Sequence, residues 1–231
     1  MAEDTLSQRW ERVRAGVAAA CRQAGRDPSE VTILPVSKTH PVDVIEQALA
    51  LGLQRLGENR VQEIRDKAAA LPDRGIEWVV IGHLQTNKAK YVAQLAREVQ
   101  SLDRLDLAEA LQRRLDMEQR ELDVLVQVKT SPEPSKYGLP PEDLLDFLEK
   151  IREFPCLHVR GLMTMAIQSD DETPVRACFR MLRELRDRAQ AAGHDLPRLS
   201  MGMSGDFALA IDEGSTEVRI GTAIFGTRAA G

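Results

Sequence analysis

Val31-Thr32-Ile33-Leu34-Pro35-Val36-Ser37-Lys38 is a short apolar run that ends on a hydroxyl and a cation. Beyond Thr39, His40 and Pro41 the pattern changes. Val42, Ile45, Ala48 and Leu51 recur three residues apart, which predicts one buried face of a helix over 42–51. A continuous apolar strand followed by an amphipathic helix is one βα unit, and it needs a sheet buried on both faces.

Reading outward, the same unit recurs. Strand-like runs lie near 53–56, 76–82, 97–101, 122–129, 157–165, 198–201 and 216–221. Helical patterns separate them at 60–71, 86–96, 105–119, 141–153, 173–192 and 205–213. Ahead of the first strand, Leu6, Trp10, Val13, Val17, Ala20 and Ala24 draw an apolar stripe on an additional N-terminal helix over 4–24. About eight strands, each followed by a helix or helical turn, predict an α/β fold, a (β/α)8 TIM barrel. An open doubly wound sheet is the alternative. No Pro/Gly/Ser linker or low-complexity tract divides the chain, so a single domain over 1–231 is expected.

Composition narrows the partners. The chain has 231 residues, 31 basic and 36 acidic, for a net charge of −5. That balance argues against a general nucleic-acid or anionic-membrane binder. Its longest apolar stretches fall well short of the roughly 18 residues of a membrane span. Cys21, Cys156 and Cys178 are odd in number and form no CxxC, which fits a reducing cytoplasm rather than a disulfide framework. His40, His83, His158 and His194 are scattered without a ligand spacing, so no metal site is expected.

In a barrel the functional face is the C-terminal end of the strands. Lys38 closes the first strand. It is either a solvent-seeking strand-end lysine or an amine placed to condense with an aldehyde. Asn59, after the second strand, is either a helix cap or a ligand donor. His83 and Thr86 or Asn87 follow the third strand. Lys136, in Ser135-Lys136-Tyr137-Gly138, is a candidate second lysine near the mouth. Ser200-Met201-Gly202-Met203-Ser204-Gly205 and Gly221-Thr222 form small-residue turns after strands seven and eight, where barrels often hold phosphate. Arg219, on the last strand, either faces that ligand or pairs with Glu217 or Asp206. Strands one and eight are neighbours in a closed barrel. A ligand carrying both phosphate and aldehyde could therefore bridge Lys38 and the two turns. Pyridoxal 5′-phosphate and some sugar phosphates qualify. An arginine facing a pyridine nitrogen keeps that nitrogen unprotonated and the ring a poor electron sink.

Taken together, these stretches resemble the pyridoxal phosphate homeostasis protein family, single-domain relatives of alanine racemase. The matching segments are Pro35–Thr39, Gly57-Glu58-Asn59, Ile81–Gln85, Ser135–Gly138, Arg160–Met163, Ser200–Ser204 and Gly214–Gly226. They run in order along essentially the whole chain. The resemblance implies a pyridoxal 5′-phosphate-binding barrel with Lys38 as the Schiff-base lysine. It places Ser200, Ser204, Gly221 and Thr222 around the phosphate. Arg219 would face the ring nitrogen, with Asn59 beside the ring and Met163 and His83 as lining residues. It implies buffering, protection or delivery of the cofactor within the cytoplasm, without robust turnover, with apo-enzymes as candidate recipients. The sequence stops at Gly231, five residues after Gly226. No second domain of the racemase kind is therefore expected, and a monomer is the expected state. An amino-acid racemase is the alternative, and it would need an acid/base on each face of the substrate carbon.

Overall fold

The structure is a computed structural model, and it describes residues 4–134 and 136–226. Ser135 and the C-terminal residues to Gly231 lie outside the described residues.

The N-terminal helix α1 (Leu6–Gln23) starts at a capping box. Thr5 Oγ1 accepts from the Gln8 amide, and Gln8 Oε1 accepts from the Thr5 amide. Its stripe buries Leu6, Val13, Val17 and Ala20 as the spacing predicts, with Cys21 beside them. Trp10 and Ala24 are partly buried against the same core.

Eight strands follow: β1 (Thr32–Pro35), β2 (Arg55–Glu58), β3 (Glu77–Val80), β4 (Ala96–Leu102), β5 (Leu122–Gln127), β6 (Leu157–Met163), β7 (Arg198–Ser200) and β8 (Glu217–Ile220). All pair in parallel, in the order β1-β8-β7-β6-β5-β4-β3-β2. The two ends of this order meet. Val36 bridges Gly57, and the Ser37 amide donates to the Gly57 carbonyl at 3.0 Å. The sheet is therefore a nearly closed barrel, not an open doubly wound sheet.

The helices lie between successive strands: α2 (Val42–Ala50), α3 (Val61–Ala70), α4 (Ala89–Leu95), α5 (Leu105–Glu118), α6 (Leu144–Lys150), α7 (Glu172–Ala191) and α8 (Phe207–Asp212), with the short α9 (Thr222–Phe225) after β8. Each presents one apolar face to the sheet. On α5 that face is Leu107, Ala108, Leu111 and Leu115, and on α7 it is Val175, Cys178, Phe179, Leu182, Leu185 and Ala189. Burying one such leucine or phenylalanine contributes roughly 1.5–3 kcal/mol. Two predicted helices are shorter than the sequence suggests. The 86–96 segment opens as a 3-10 turn, Thr86–Lys88, and 3-10 turns flank α6 on both sides.

The barrel interior is partly ionic. Arg55 opens β2, Arg198 opens β7 and Glu217 opens β8, while Glu98 lies in β4. Arg55 reaches Glu217 at 2.6 Å and Glu98 at 2.9 Å, and Arg198 reaches Glu98 at 2.9 Å and Glu217 at 3.0 Å. Two arginines and two carboxylates thus neutralise one another near the N-terminal ends of the strands. The opposite end is left for the site.

Candidate functional site

A cavity of about 360 Å³ opens at the C-terminal ends of the strands. That volume is within the usual range for small-molecule sites. Lys38, Asn59, His83, Ser204, Arg219, Gly221 and Thr222 all line it. Two other sequence candidates do not. Met163 is fully buried at the end of β6, and Met165, two residues on, lines the cavity in its place. Ser200 is also fully buried and acts through Arg219 rather than at the wall.

Lys38 sits three residues beyond β1 on a tight turn. The His40 amide closes that turn onto the Ser37 carbonyl at 3.1 Å. Asn59 follows β2. It does not cap the next helix, since Arg60 is the N-cap of α3 and makes no side-chain cap bond. Gly82 explains why Asn59 reaches the cavity. A Cβ at Gly82 would lie 2.2 Å from the Asn59 carbonyl oxygen, so only glycine lets the β2 and β3 loops touch.

Arg219 is in β8 and is only 4% exposed. One terminal nitrogen donates to the Ser200 carbonyl at 2.7 Å and to Ser200 Oγ at 2.9 Å; the other donates to the Thr164 carbonyl at 2.8 Å. The alternative reading of an ion pair to Glu217 or Asp206 is overturned. Among the described residues no carboxylate lies within ion-pair distance of Arg219, and Glu217 is taken by Arg55 and Arg198. Burial pulls the guanidinium down to about 10, with Glu217 and Asp206 opposing at longer range. It remains a cation at neutral pH.

A hydrogen-bonded chain links this cation to the ionic layer. Ser200 Oγ donates to Gln100 Oε1 at 2.7 Å, and the Gln100 amide nitrogen donates to Glu98 at 2.7 Å and to Glu217. The guanidinium is thus held from behind by three acceptors whose own positions are fixed.

The turn after β7 depends on Gly202 at φ 97°, where an added Cβ would meet Ala210 Cβ at 2.6 Å. It presents Ser204 and Gly205 to the cavity, opposite Gly221 and Thr222 from the β8 end. The sequence reading placed Tyr137 near the mouth, where its ring lines the cavity, and missed Val36, His40, Ile81 and Met165. Tyr137 is 54% exposed and stacks on His83 at 4.0 Å between ring centroids. No spacing rule pairs residues from the third and fifth βα loops, so this contact has no sequence signal. Lys136 does not line this cavity. It lines a neighbouring one of about 370 Å³, 3.9 Å from Glu133.

The chemistry of the lining is one-sided. It contains Lys38, Arg219 and two histidines and, among the described residues, no acidic side chain. Val36, Ile81, Met165 and Met203 add apolar wall.

Comparison with known proteins bears on this arrangement. The family described as alanine racemase, N-terminal domain, matches residues 11–229. The chain belongs to this family. A pyridoxal phosphate homeostasis protein of Aquifex aeolicus is 45% identical over 222 residues, covering 96% of this chain and 97% of that protein. Among solved structures, a protein of unknown function from Bifidobacterium adolescentis superposes with a TM-score of 0.87 at 37% identity, over 95% of this chain and 94% of that one. PipY of Synechococcus elongatus, solved with pyridoxal phosphate bound, superposes with a TM-score of 0.81 at 35% identity, over 92% of this chain and all of that one.

Proposed function

We propose that this chain binds pyridoxal 5′-phosphate in the C-terminal cavity and serves in its intracellular homeostasis: buffering, protecting or delivering it. The observation that carries this reading is the lining itself. It is a cationic, carboxylate-free pocket with an amine, a buried guanidinium and two small-residue turns, on a chain with a net charge of −5. That donor set fits a ligand with an aldehyde, a ring nitrogen and a phosphate. The cofactor-bound relative PipY supports the same reading.

Bound pyridoxal 5′-phosphate supplies an aldehyde that condenses reversibly with an amine. Each residue then has a task. Lys38 provides the amine. Ser204, Gly205, Gly221 and Thr222 offer hydroxyl and backbone N–H groups to the phosphate. Val36, Ile81, Met165 and Met203 would shield a bound ring from water, and Asn59 and His83 would border it. Arg219, a buried cation on the cavity wall, would face the ring nitrogen and leave it without a proton. Carbanion-based turnover is thereby disfavoured, which suits a carrier better than an enzyme. Met163 and Ser200, also assigned to the site from sequence, support it from beneath the lining. Candidate recipients are apo-enzymes that require the cofactor, and we place the protein in the cytoplasm as a monomer. The three cysteines are free thiols, and among the described residues no helix is long and apolar enough to cross a membrane.

The test is direct. Protein incubated with pyridoxal 5′-phosphate should gain visible absorbance, and borohydride should bleach it and leave the added mass on the Lys38 peptide. Lys38→Ala should show neither, with an unchanged circular dichroism spectrum. Absence of colour in the wild type would return the site to other aldehyde phosphates, such as sugar phosphates. Transfer to an apo-enzyme, compared with equimolar free cofactor, tests delivery.

One observation favours the racemase alternative. Tyr137 and His83 line the cavity as a stacked pair, which could supply a second acid/base. Isomerisation of any L- or D-amino acid above the Lys38→Ala background would establish it.

A further inference from the structure

Lys38 occupies a corner that its own sequence does not favour. The next residue, Thr39, has φ 65°, a left-handed conformation costly for a β-branched residue. Something must hold this turn. Two side chains on one face of α3, four residues apart, reach it. Lys67 Nζ donates to the Ser37 carbonyl at 2.9 Å, immediately before Lys38. Glu63 Oε2 accepts from the Thr39 amide at 2.6 Å, immediately after it. Lys67 is itself anchored, at 2.6 Å from Glu58 Oε1 and 3.5 Å from Glu63. Glu58 Oε1 also accepts from Ser37 Oγ at 2.6 Å.

As a stability device this cluster is poor. Glu58 is completely buried, its second oxygen has no hydrogen-bond partner, and burial pushes its carboxyl up despite Lys67 and Ser37. A buried ion pair with an unsatisfied oxygen repays little of its desolvation cost. What it does accomplish is geometric: the backbone is tethered on both sides of a single residue.

We propose that Glu63 and Lys67 are positioning residues for Lys38, a two-point clamp from α3 that holds the strained Ser37–His40 turn so that the amine is presented to the cavity in one orientation. This rests on the reading of Lys38 as the attachment point. Neither residue lines the cavity, and both reach the turn through its backbone.

The experiment measures the rate at which pyridoxal 5′-phosphate becomes borohydride-trappable on the Lys38 peptide, for the wild type, Glu63→Leu, Glu63→Ala and Glu63→Gln. Thr39 amide exchange in cofactor-free protein is measured alongside, with circular dichroism as the fold control. The leucine and alanine variants should trap roughly tenfold more slowly, a modest share of what misplacement of a reacting group can cost. Thr39 should exchange faster in both. Glutamine, which keeps an acceptor oxygen, should restore both readouts to about the wild-type level. Should the leucine variant not fold, the alanine variant carries the comparison. Wild-type trapping rates and Thr39 protection in the folded leucine or alanine variant overturn the clamp, as does a glutamine variant no better than leucine. Wild-type trapping on another lysine overturns the attachment reading, and the clamp with it. Trapping on Lys38 that is indifferent to Glu63 overturns the clamp alone.

Discussion

At the scale of single residues, Ser200 shows how a side chain can bear on a cavity without lining it. Its hydroxyl accepts from Arg219 and donates to Gln100, with no solvent contact. Ser200→Ala leaves the Gln100 oxygen without that donor, and the expected loss is about 1–3 kcal/mol by denaturant unfolding. It also frees the guanidinium to shift, so the absorbance of the bound cofactor should change while Lys38 is still modified. An unaltered spectrum would mean that the Arg219 position does not depend on Ser200. Lys38 and Arg219 were legible as cavity-lining positions because a strand end at the barrel mouth is a meaningful address. The partners of Arg219 were not, because its acceptors come from Ser200 and Thr164, on other segments of the chain.

At the scale of elements, local patterning did most of the work. Apolar spacing anticipated the buried face of α1 and the Ile45 and Ala48 face of α2, and continuous apolar runs anticipated the strands. It misjudged the ends. The 86–96 segment becomes a 3-10 turn plus a short α4, since terminal turns answer to packing as much as to propensity. Loop contacts were also illegible, and Gly82 is the clearest case. Gly82→Ala puts a methyl group against the Asn59 backbone, which cannot yield like a flexible side chain. The expected result is destabilisation of about 1–3 kcal/mol together with weaker cofactor binding as Asn59 is pushed away. Melting and absorbance titration of the same preparation check both.

At the scale of the whole molecule, the alternation of runs revealed the barrel, but not the chemistry of its interior. Arg55, Glu98, Arg198 and Glu217 are dispersed over more than 160 positions, and only closure of the sheet brings them together. Their pH signature follows. Arg55 and Arg198 hold the buried Glu217 carboxyl below its ordinary 4.5 against the cost of burial. A depressed carboxyl contributes stability that is fully present above its unfolded value and is lost as pH falls through the folded one. Wild-type melting temperature should therefore drop more steeply below about pH 4.5 than that of Glu217→Gln, whose absolute stability at neutral pH is lower. Parallel slopes would show that Glu217 is not the titrating group. The pairing of β1 with β8, Leu34 opposite Arg219 and Pro35 opposite Ile220, has a different consequence. It sets Lys38, just past the end of β1, Arg219 in β8 and the Gly221-Thr222 turn beyond it on one hydrogen-bonded pair of strands, so a guest held at both ends would be gauged by its length. Pyridoxal, which lacks the phosphate, spans only part of that gauge. It should still reach Lys38 but bind roughly a hundredfold more weakly, the worth of one or two charge-assisted hydrogen bonds.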